Sequence, residues 1–423
     1  LKTIEEHESQ VRSYSRNFPA TFSTSSGAYL YDEANNRYVD FFSGAGALNY
    51  GHNDEDMKEA LIGYISRNGI VHSLDMATVA KESFIDNFIR YVLKPRGLDY
   101  KIQFTGPTGA NAVEAAVKLA QIVKGRNQII SFTNAYHGHS KGALRLTANS
   151  YYREGLEDDL SQSTTFLPFS GYLGPDIDTS VLLDKLLSDK GSGLSKPAAI
   201  ILETIQGEGG INVATQQWLR NMREITSRHG ILMIIDDIQS GCGRTGDFFS
   251  FEFADIQPDM VVLSKSISGC GLPMSLLLIK PEIDAWKPGQ HTGTFRGNNY
   301  AFITAALAIE KYWKDDQLSH KVKRESKAIV SLLQEIKDEY PGELSIRGRG
   351  FMIGLEFKDK AMAVEVSKAC FKNGLVIETC GAEDQVLKLF PPLTISAESL
   401  DEGLEILNSS IVELMRNKKP VYL

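Results

Sequence analysis

Residues 231–265 read ILMIIDDIQSGCGRTGDFFSFEFADIQPDMVVLSK. Two apolar runs, Ile231–Ile235 and Met260–Leu263, have strand length and branched or long aliphatic side chains. The first runs directly into Asp236, and the second reaches Lys265 after one serine. In an open α/β sheet, ligands sit in the crevice beyond the carboxyl ends of the strands. The sequence therefore predicts that an acid and an amine enter one crevice. That pair suits pyridoxal phosphate, whose aldehyde takes a lysine and whose pyridine nitrogen takes a carboxylate.

Over about 55–320 the pattern alternates strands and helices. A helix Ala110–Lys124 stops at Gly125, and strands follow at Gln128–Phe132 and Ala198–Leu202. A helix Gln216–Arg228 then precedes the strand Ile231–Ile235. Such alternation predicts an α/β domain built on a mostly parallel sheet covered by helices. Residues 28–42 alternate around EANN and predict a hairpin. The Gly/Ala-rich stretch after it predicts a loop that allows close approach to the backbone. Residues 151–196 read as loop. After Tyr312 come a long polar helix, Gln317–Glu339, two strands within 341–357, helix Ala361–Asn373 and a strand near Leu375–Glu378. The expected division is an N-terminal segment (1–54), a large domain (55–315) and a small α+β domain (316–423), the first packing with the last.

Lys265 sits in LSKSISGCGLP among small residues that leave room for a flat ring. Desolvation would lower its pKa and make it a Schiff-base nucleophile. Asp236 would hold the proton on the pyridine nitrogen, which makes the ring a better sink for a carbanion. Asp237 points the other way on a continuing strand and reads as a cap or turn acid. Gln239 is placed to donate to the cofactor's phenolic oxygen. In TGPTGANAVEAAVKLA, residues 105–120, a turn enters a helix, and Thr108, Gly109 and Ala110 form the expected phosphate cradle. No GK[ST] follows, so this is not a Walker loop. In AYHGHS, residues 135–140, Tyr136 or His137 is the candidate to stack on the ring. Glu203 and Glu208, in ETIQGEGG, are strand-end acids that could order a cation in the site or simply be solvated.

Composition excludes several classes. The 423 residues carry a net charge of −8 and no Lys/Arg-rich block, which argues against a nucleic-acid partner. The expected partners are small molecules and another copy of the chain. Cys242, Cys270, Cys370 and Cys380 form no CxxC pair and have no accompanying His cluster, so neither a metal site nor a disulfide framework is expected. The start, LKTIEEHESQ, lacks an apolar signal core. No apolar run approaches the ~20 residues needed to span a bilayer. A cytoplasmic location is expected. The chain begins with Leu1 rather than Met, so a natural start upstream of it is also expected.

Taken together, RYVDFFSGAGALNYGH, PTGANAVEAAVKLA, AYHGHS, ETIQGEGG, IIDDIQSGCGRTG, LSKSISG, TGTFRGNN and FPPLTI resemble the class III, or ω-amino, aminotransferases of fold-type I. The resemblance spans about residues 10–412. Within that class, GAGALNYGHN, VHSLDMAT and GLVIETCGAEDQVLKLFPPLTI are similar to the diaminobutyrate–2-oxoglutarate transaminases. The resemblance implies pyridoxal phosphate on Lys265, with Asp236 at the ring nitrogen, Gln239 near the ring oxygen, and Gly109 and Ala110 at the phosphate. It implies that Thr294 closes the phosphate site of a neighbouring subunit, and hence a homodimer with shared sites. It implies amino transfer between L-glutamate and L-aspartate 4-semialdehyde. Two positions depart from many relatives in the class: His139 and Lys388 stand where those have arginine. Lysine is a point charge without the bidentate fork. Glu208 and Lys388 then occupy the places of a gating acid and base. Other ω-amino substrates, or an aminomutase reaction, would use the same cofactor machinery.

Overall fold

The computed structural model describes residues 2–156, 160 and 163–418. Its centre is a seven-stranded sheet in the order Lys101–Phe104, Leu276–Ile279, Met260–Leu263, Leu232–Asp236, Ala199–Leu202, Ile129–Phe132, Thr164–Leu167. Leu276–Ile279 is antiparallel to both of its neighbours, while the remaining pairings are parallel. All strands but that one therefore point the same way. Their carboxyl ends bring Lys265, Asp236, Glu203, Tyr136 and the turn before Gly109 to one edge of the sheet. The five inner strands are buried along their length, as expected for a sheet covered on both faces.

Helix Gly109–Lys124 covers part of one face. Thr108 caps it by accepting from Asn111 N–H, and Gly125 ends it at φ +60°. Its buried side is Ala112, Val113, Ala115, Ala116, Leu119 and Ala120. A face dominated by alanine lets the helix lie close to the strands, which fixes where its first turn points.

The N-terminal hairpin forms between Tyr29–Asp32 and Arg37–Asp40. Asp32 sets the turn: its carboxylate accepts from the Ala34 and Asn36 N–H groups and the Asn36 amide at 2.8–2.9 Å. A further strand, Phe22–Ser26, pairs outside it. Its STSS run is largely exposed and has no apolar alternation to announce it. The strand expected near Leu375–Glu378 is two strands. Leu375–Val376 pairs with Arg37–Asp40, whereas Glu378–Cys380 pairs with Val386–Leu389. Ile377, fully buried, is the point where the chain changes sheets. The second sheet runs Leu344–Arg349, Met352–Phe357, Val386–Leu389, Glu378–Cys380. The stretch 151–196, read as loop, contains strand Thr164–Leu167 and helix Ser180–Ser188. Residues 157–159 and 161–162 of it lie outside the described residues.

Arg244 ties these parts together. Its guanidinium is wholly buried and donates to the Pro391 carbonyl, the Phe351 carbonyl and the Asn49 side chain, 4.0 Å above the Phe390 ring. Removing it would strand several buried acceptors, each worth about 1–3 kcal/mol. Arg244→Met should therefore lower unfolding stability by about 3 kcal/mol or more, measured by urea titration against the parent protein. A loss within error would show that these carbonyls find other donors.

Candidate active site

Lys265 opens a short 3-10 turn, Lys265–Ser268, with φ +52°. Its Nζ donates to the Ala45 carbonyl at 2.7 Å. That carbonyl belongs to a run of four left-handed residues, Ser43, Gly44, Ala45 and Gly46, with φ of +49°, +57°, +54° and +89°. Serine hydroxyls help to hold the run in place. Ser266 Oγ donates to the Gly46 carbonyl at 2.7 Å and accepts from Asn49 N–H at 3.0 Å. Ser43 Oγ donates to the Phe390 carbonyl at 2.7 Å. A Cβ on Gly46 would fall 2.7 Å from the Phe390 ring. Burial pushes the Lys265 amine below its ordinary pKa, Glu208 opposes that shift, and Lys388 adds to it. A buried lysine of lowered pKa is a usable nucleophile and base.

Asp236 is 4% exposed at the end of its strand. Its Oδ2 is 2.7 Å from His137 Nδ1, and its Oδ1 accepts from Ile238 N–H at 3.2 Å. His137 Nε2 is buried and has no partner. The two aromatic candidates thus separate. His137 is engaged with Asp236, while Tyr136 faces a cleft shared with Tyr152, Asn149, Glu208 and Ala382. His139 packs edge-on against both Tyr136 and Tyr152. Glu203 is buried rather than solvated. It accepts from the Tyr136 and Gly207 N–H groups, each at 3.1 Å. Burial lifts its pKa to about 7, against the pull of His137. Asp237 accepts from Ser240 Oγ and Ser250 N–H, a structural role away from Lys265.

At the start of helix Gly109–Lys124, the first N–H groups have no acceptor within the helix. The cradle is tight: a Cβ on Gly109 would meet Ile238 at 2.6 Å, and one on Gly138 would meet Ala110 at 2.7 Å. Such a turn suits a phosphate group. Gly293 approaches Gly106, the first wall of this turn. Thr294, next in sequence, is exposed, and its carbonyl lies 2.5 Å from His72 Nε2. Around it Ile70, Val71, Met76, Val79 and Phe295 are each at least half exposed.

Gln239 gives its amide N–H groups to Glu208 Oε1 at 3.0 Å and to the Ala45 carbonyl at 3.3 Å. Its Oε1 is buried without a partner, tucked so close to Gly207 that any Cβ there would overlap it. Glu208 Oε1 also stands 2.9 Å from Lys388 Nζ. Burial raises the Glu208 carboxyl, but Lys388 and Lys265 hold it down at about 2. The Lys388 side chain is wholly inaccessible, and its ammonium has a second acid, Glu378, at 2.8 Å. Sequence reasoning missed Glu378 and the Ala45 carbonyl. A signal for Glu378 existed in its spacing from Lys388 across a short turn, but only once the pairing of the two strands was known.

The site thus combines a buried amine, a carboxylate–imidazole pair, an anion cradle and a paired lysine. The unsatisfied His137 Nε2 and the glycine-walled cradle fit a flat phosphorylated cofactor, whereas Gln239 has both amide N–H groups engaged by Glu208 and Ala45 rather than free for a ring oxygen. Among the described residues no group of His, Cys, Asp and Glu could hold a metal ion, and no helix is long and apolar enough to cross a membrane.

Comparison with known proteins agrees with this arrangement. A protein of Bordetella parapertussis named diaminobutyrate–2-oxoglutarate transaminase is 52% identical over 422 residues, covering 99% of this chain and 97% of that protein. A protein of the same name from Halalkalibacterium halodurans is 51% identical over 424 residues, covering 100% of this chain and 98% of its own. The ornithine aminotransferase of Toxoplasma gondii, solved with partial occupancy of PLP at its active site, superposes with a TM-score of 0.83 at 24% identity. It covers 99% of this chain and 94% of that one. This likeness shows the fold, the fold-type I architecture. Residues 11–411 match the family model described as aminotransferase class-III, and the chain belongs to that family.

Proposed function

We propose that this chain transfers an amino group between L-glutamate and L-aspartate 4-semialdehyde, forming L-2,4-diaminobutyrate and 2-oxoglutarate. The observation that carries this reading is the Glu208–Lys388 pair beside Lys265, a lysine gate in place of an arginine one. The named relatives, about half identical over the whole chain, support the same substrates.

Pyridoxal phosphate, when bound, supplies the electron sink for the carbanion. Thr108, Gly109 and Ala110 would hold its phosphate and Tyr136 would stack on its ring. Asp236, kept in place by His137, would keep a proton on the ring nitrogen. Lys265 would hold the aldehyde carbon of the cofactor, and its Nζ is the group placed to take a proton from, and return one to, the reacting centre as base and acid. Its hydrogen bond to Ala45 keeps the amine oriented. Gln239 positions Glu208. We also infer a homodimer in which Thr294 reaches the partner's phosphate site. The exposed apolar residues beside it would be covered there, which would also exclude water.

One site must serve two ends. Glutamate brings an α-carboxylate beside the reacting carbon, whereas diaminobutyrate reacting at its 4-amino group does not. Glu208 would mask Lys388 for the terminal amine and release it for glutamate.

Asp236→Asn keeps the shape but loses the charge. Cofactor binding should survive in part while turnover falls by about two or more orders of magnitude, consistent with about 3 kcal/mol or more of lost transition-state stabilisation. Near-normal turnover would remove Asp236 from this role. Mixing Lys265→Ala with Thr294→Ala chains should restore partial activity, since one site of each mixed dimer carries neither lesion. Verified mixed dimers without activity would place both residues in the same chain's site. Single-turnover kinetics with product identification test the substrates and the gate together. Glu208→Gln should slow the diaminobutyrate half-reaction more than the glutamate half-reaction, and Lys388→Ala should do the reverse. Equal losses would rule out the gate, and absence of diaminobutyrate among the products would refute the assigned reaction.

A further inference from the structure

Lys388 is held by two acids on different elements. Glu208 Oε1 is 2.9 Å from its Nζ and Glu378 Oε1 is 2.8 Å away. Glu208 lies on the loop beyond strand Ala199–Leu202 and is partly accessible, with 23% of its side chain exposed. Glu378 is the direct cross-strand partner of Lys388 in the antiparallel pair with Val386–Leu389, so the two side chains share a face. It is 3% exposed. Its other oxygen accepts from the Tyr14 hydroxyl at 3.3 Å, and Tyr14 packs on Phe42, which adjoins the Ser43–Gly46 run. Glu378 is therefore pinned from both sides, whereas Glu208 sits on a loop with a route outward. Burial raises the Glu378 carboxyl and Lys388 pulls it back. Burial works against the Lys388 ammonium, but Glu208 and Glu378 hold its pKa well above the usual range.

A gate with a single acid exposes a bare cation when that acid leaves, and a buried unpaired ammonium is strongly disfavoured. Here the second acid stays. We propose that Glu378 is a fixed counter-charge for Lys388, so that when Glu208 withdraws the pocket meets a substrate carboxylate with an ammonium still paired one-to-one with a resident carboxylate. This rests on the reading of Glu208 and Lys388 as a gate. Glu378 is then a positioning and specificity residue. It keeps carboxylate binding weak enough to release, and it keeps Lys388 from repelling the ammonium of a substrate that reacts at its terminal amine.

The test is titration of the holoenzyme with glutarate, a dicarboxylate without an amine to react. Glu378→Gln should bind glutarate about tenfold more tightly than the parent, because Lys388 loses its resident counter-charge. Glu378→Asp, which keeps the charge, should stay within about twofold. Adding Lys388→Met to Glu378→Gln should abolish the gain. In turnover, Glu378→Gln should lower KM for glutamate and slow the half-reaction that starts from 2,4-diaminobutyrate. If the amide variant does not fold, Glu378→Met, apolar and of similar size, reads the same quantity. Glutarate binding in these variants no tighter than in the parent overturns the proposal, as does a gain that survives loss of Lys388. If the glutarate pattern holds and no diaminobutyrate forms, the substrate assignment falls while the role of Glu378 stands.

Discussion

An ammonium group without water must have carboxylates, and the placement of Lys388 makes that demand at the centre of the molecule. Losing one partner of such a buried pair typically destabilises a protein by about 3–5 kcal/mol. The acids come from separate parts of the fold: Glu208 from the loop beyond the large sheet, and Glu378 from the sheet that also carries Lys388. Glu208 in turn engages Gln239, which reaches the Ala45 carbonyl, which also accepts from Lys265. One chain of polar contacts thus links the small sheet, the large sheet and the N-terminal loop. The geometry around Lys265 depends on that chain being complete.

Backbone strain collects at the same place. Ser43, Ala45 and Lys265 all hold positive φ without being glycine, a conformation that costs about 1–3 kcal/mol per residue. The serine hydroxyls of Ser43 and Ser266 fix the loop from either end. What the strain achieves is direction: a main-chain carbonyl is aimed at the lysine amine, where an ordinary turn would point it elsewhere.

Lys265 and Asp236 could be read from the sequence because the signal is local. An apolar strand-length run followed at once by an acid or an amine fixes the end of the sheet on which that group emerges. The turn before Gly109 was legible for the same reason, since a cap, a glycine and an alanine-rich helix are contiguous. Glu378 was not legible. In VIETCG it reads as an ordinary polar strand residue, and its register against Lys388 depends on the change of sheet at Ile377. Arg244 lies in GCGRTG, which reads as an exposed glycine-rich loop, and its burial requires Asn49, Phe351, Phe390 and Pro391 from distant segments. Tyr136 and His137 were inseparable as neighbours in sequence, because which one meets Asp236 is decided by the turn of the loop, itself fixed by Glu203.

The antiparallel strand in the large sheet has a consequence for assembly. Lys101–Phe104 leads into the turn before Gly109 and lies at the sheet's edge, where its neighbour is Leu276–Ile279, more than 170 residues later. Pairings of such sequence separation form late, because a long loop must close before they are rewarded. During synthesis the phosphate-cradling turn has no sheet to rest on until the chain past Ile279 has emerged. Tyr14 waits longer still, for Glu378. The nascent protein must therefore carry an unpaired strand edge over the more than 170 residues between Phe104 and Leu276, a state exposed to aggregation. The catalytic centre cannot be complete before Lys388, in the last strand of the small sheet, has emerged.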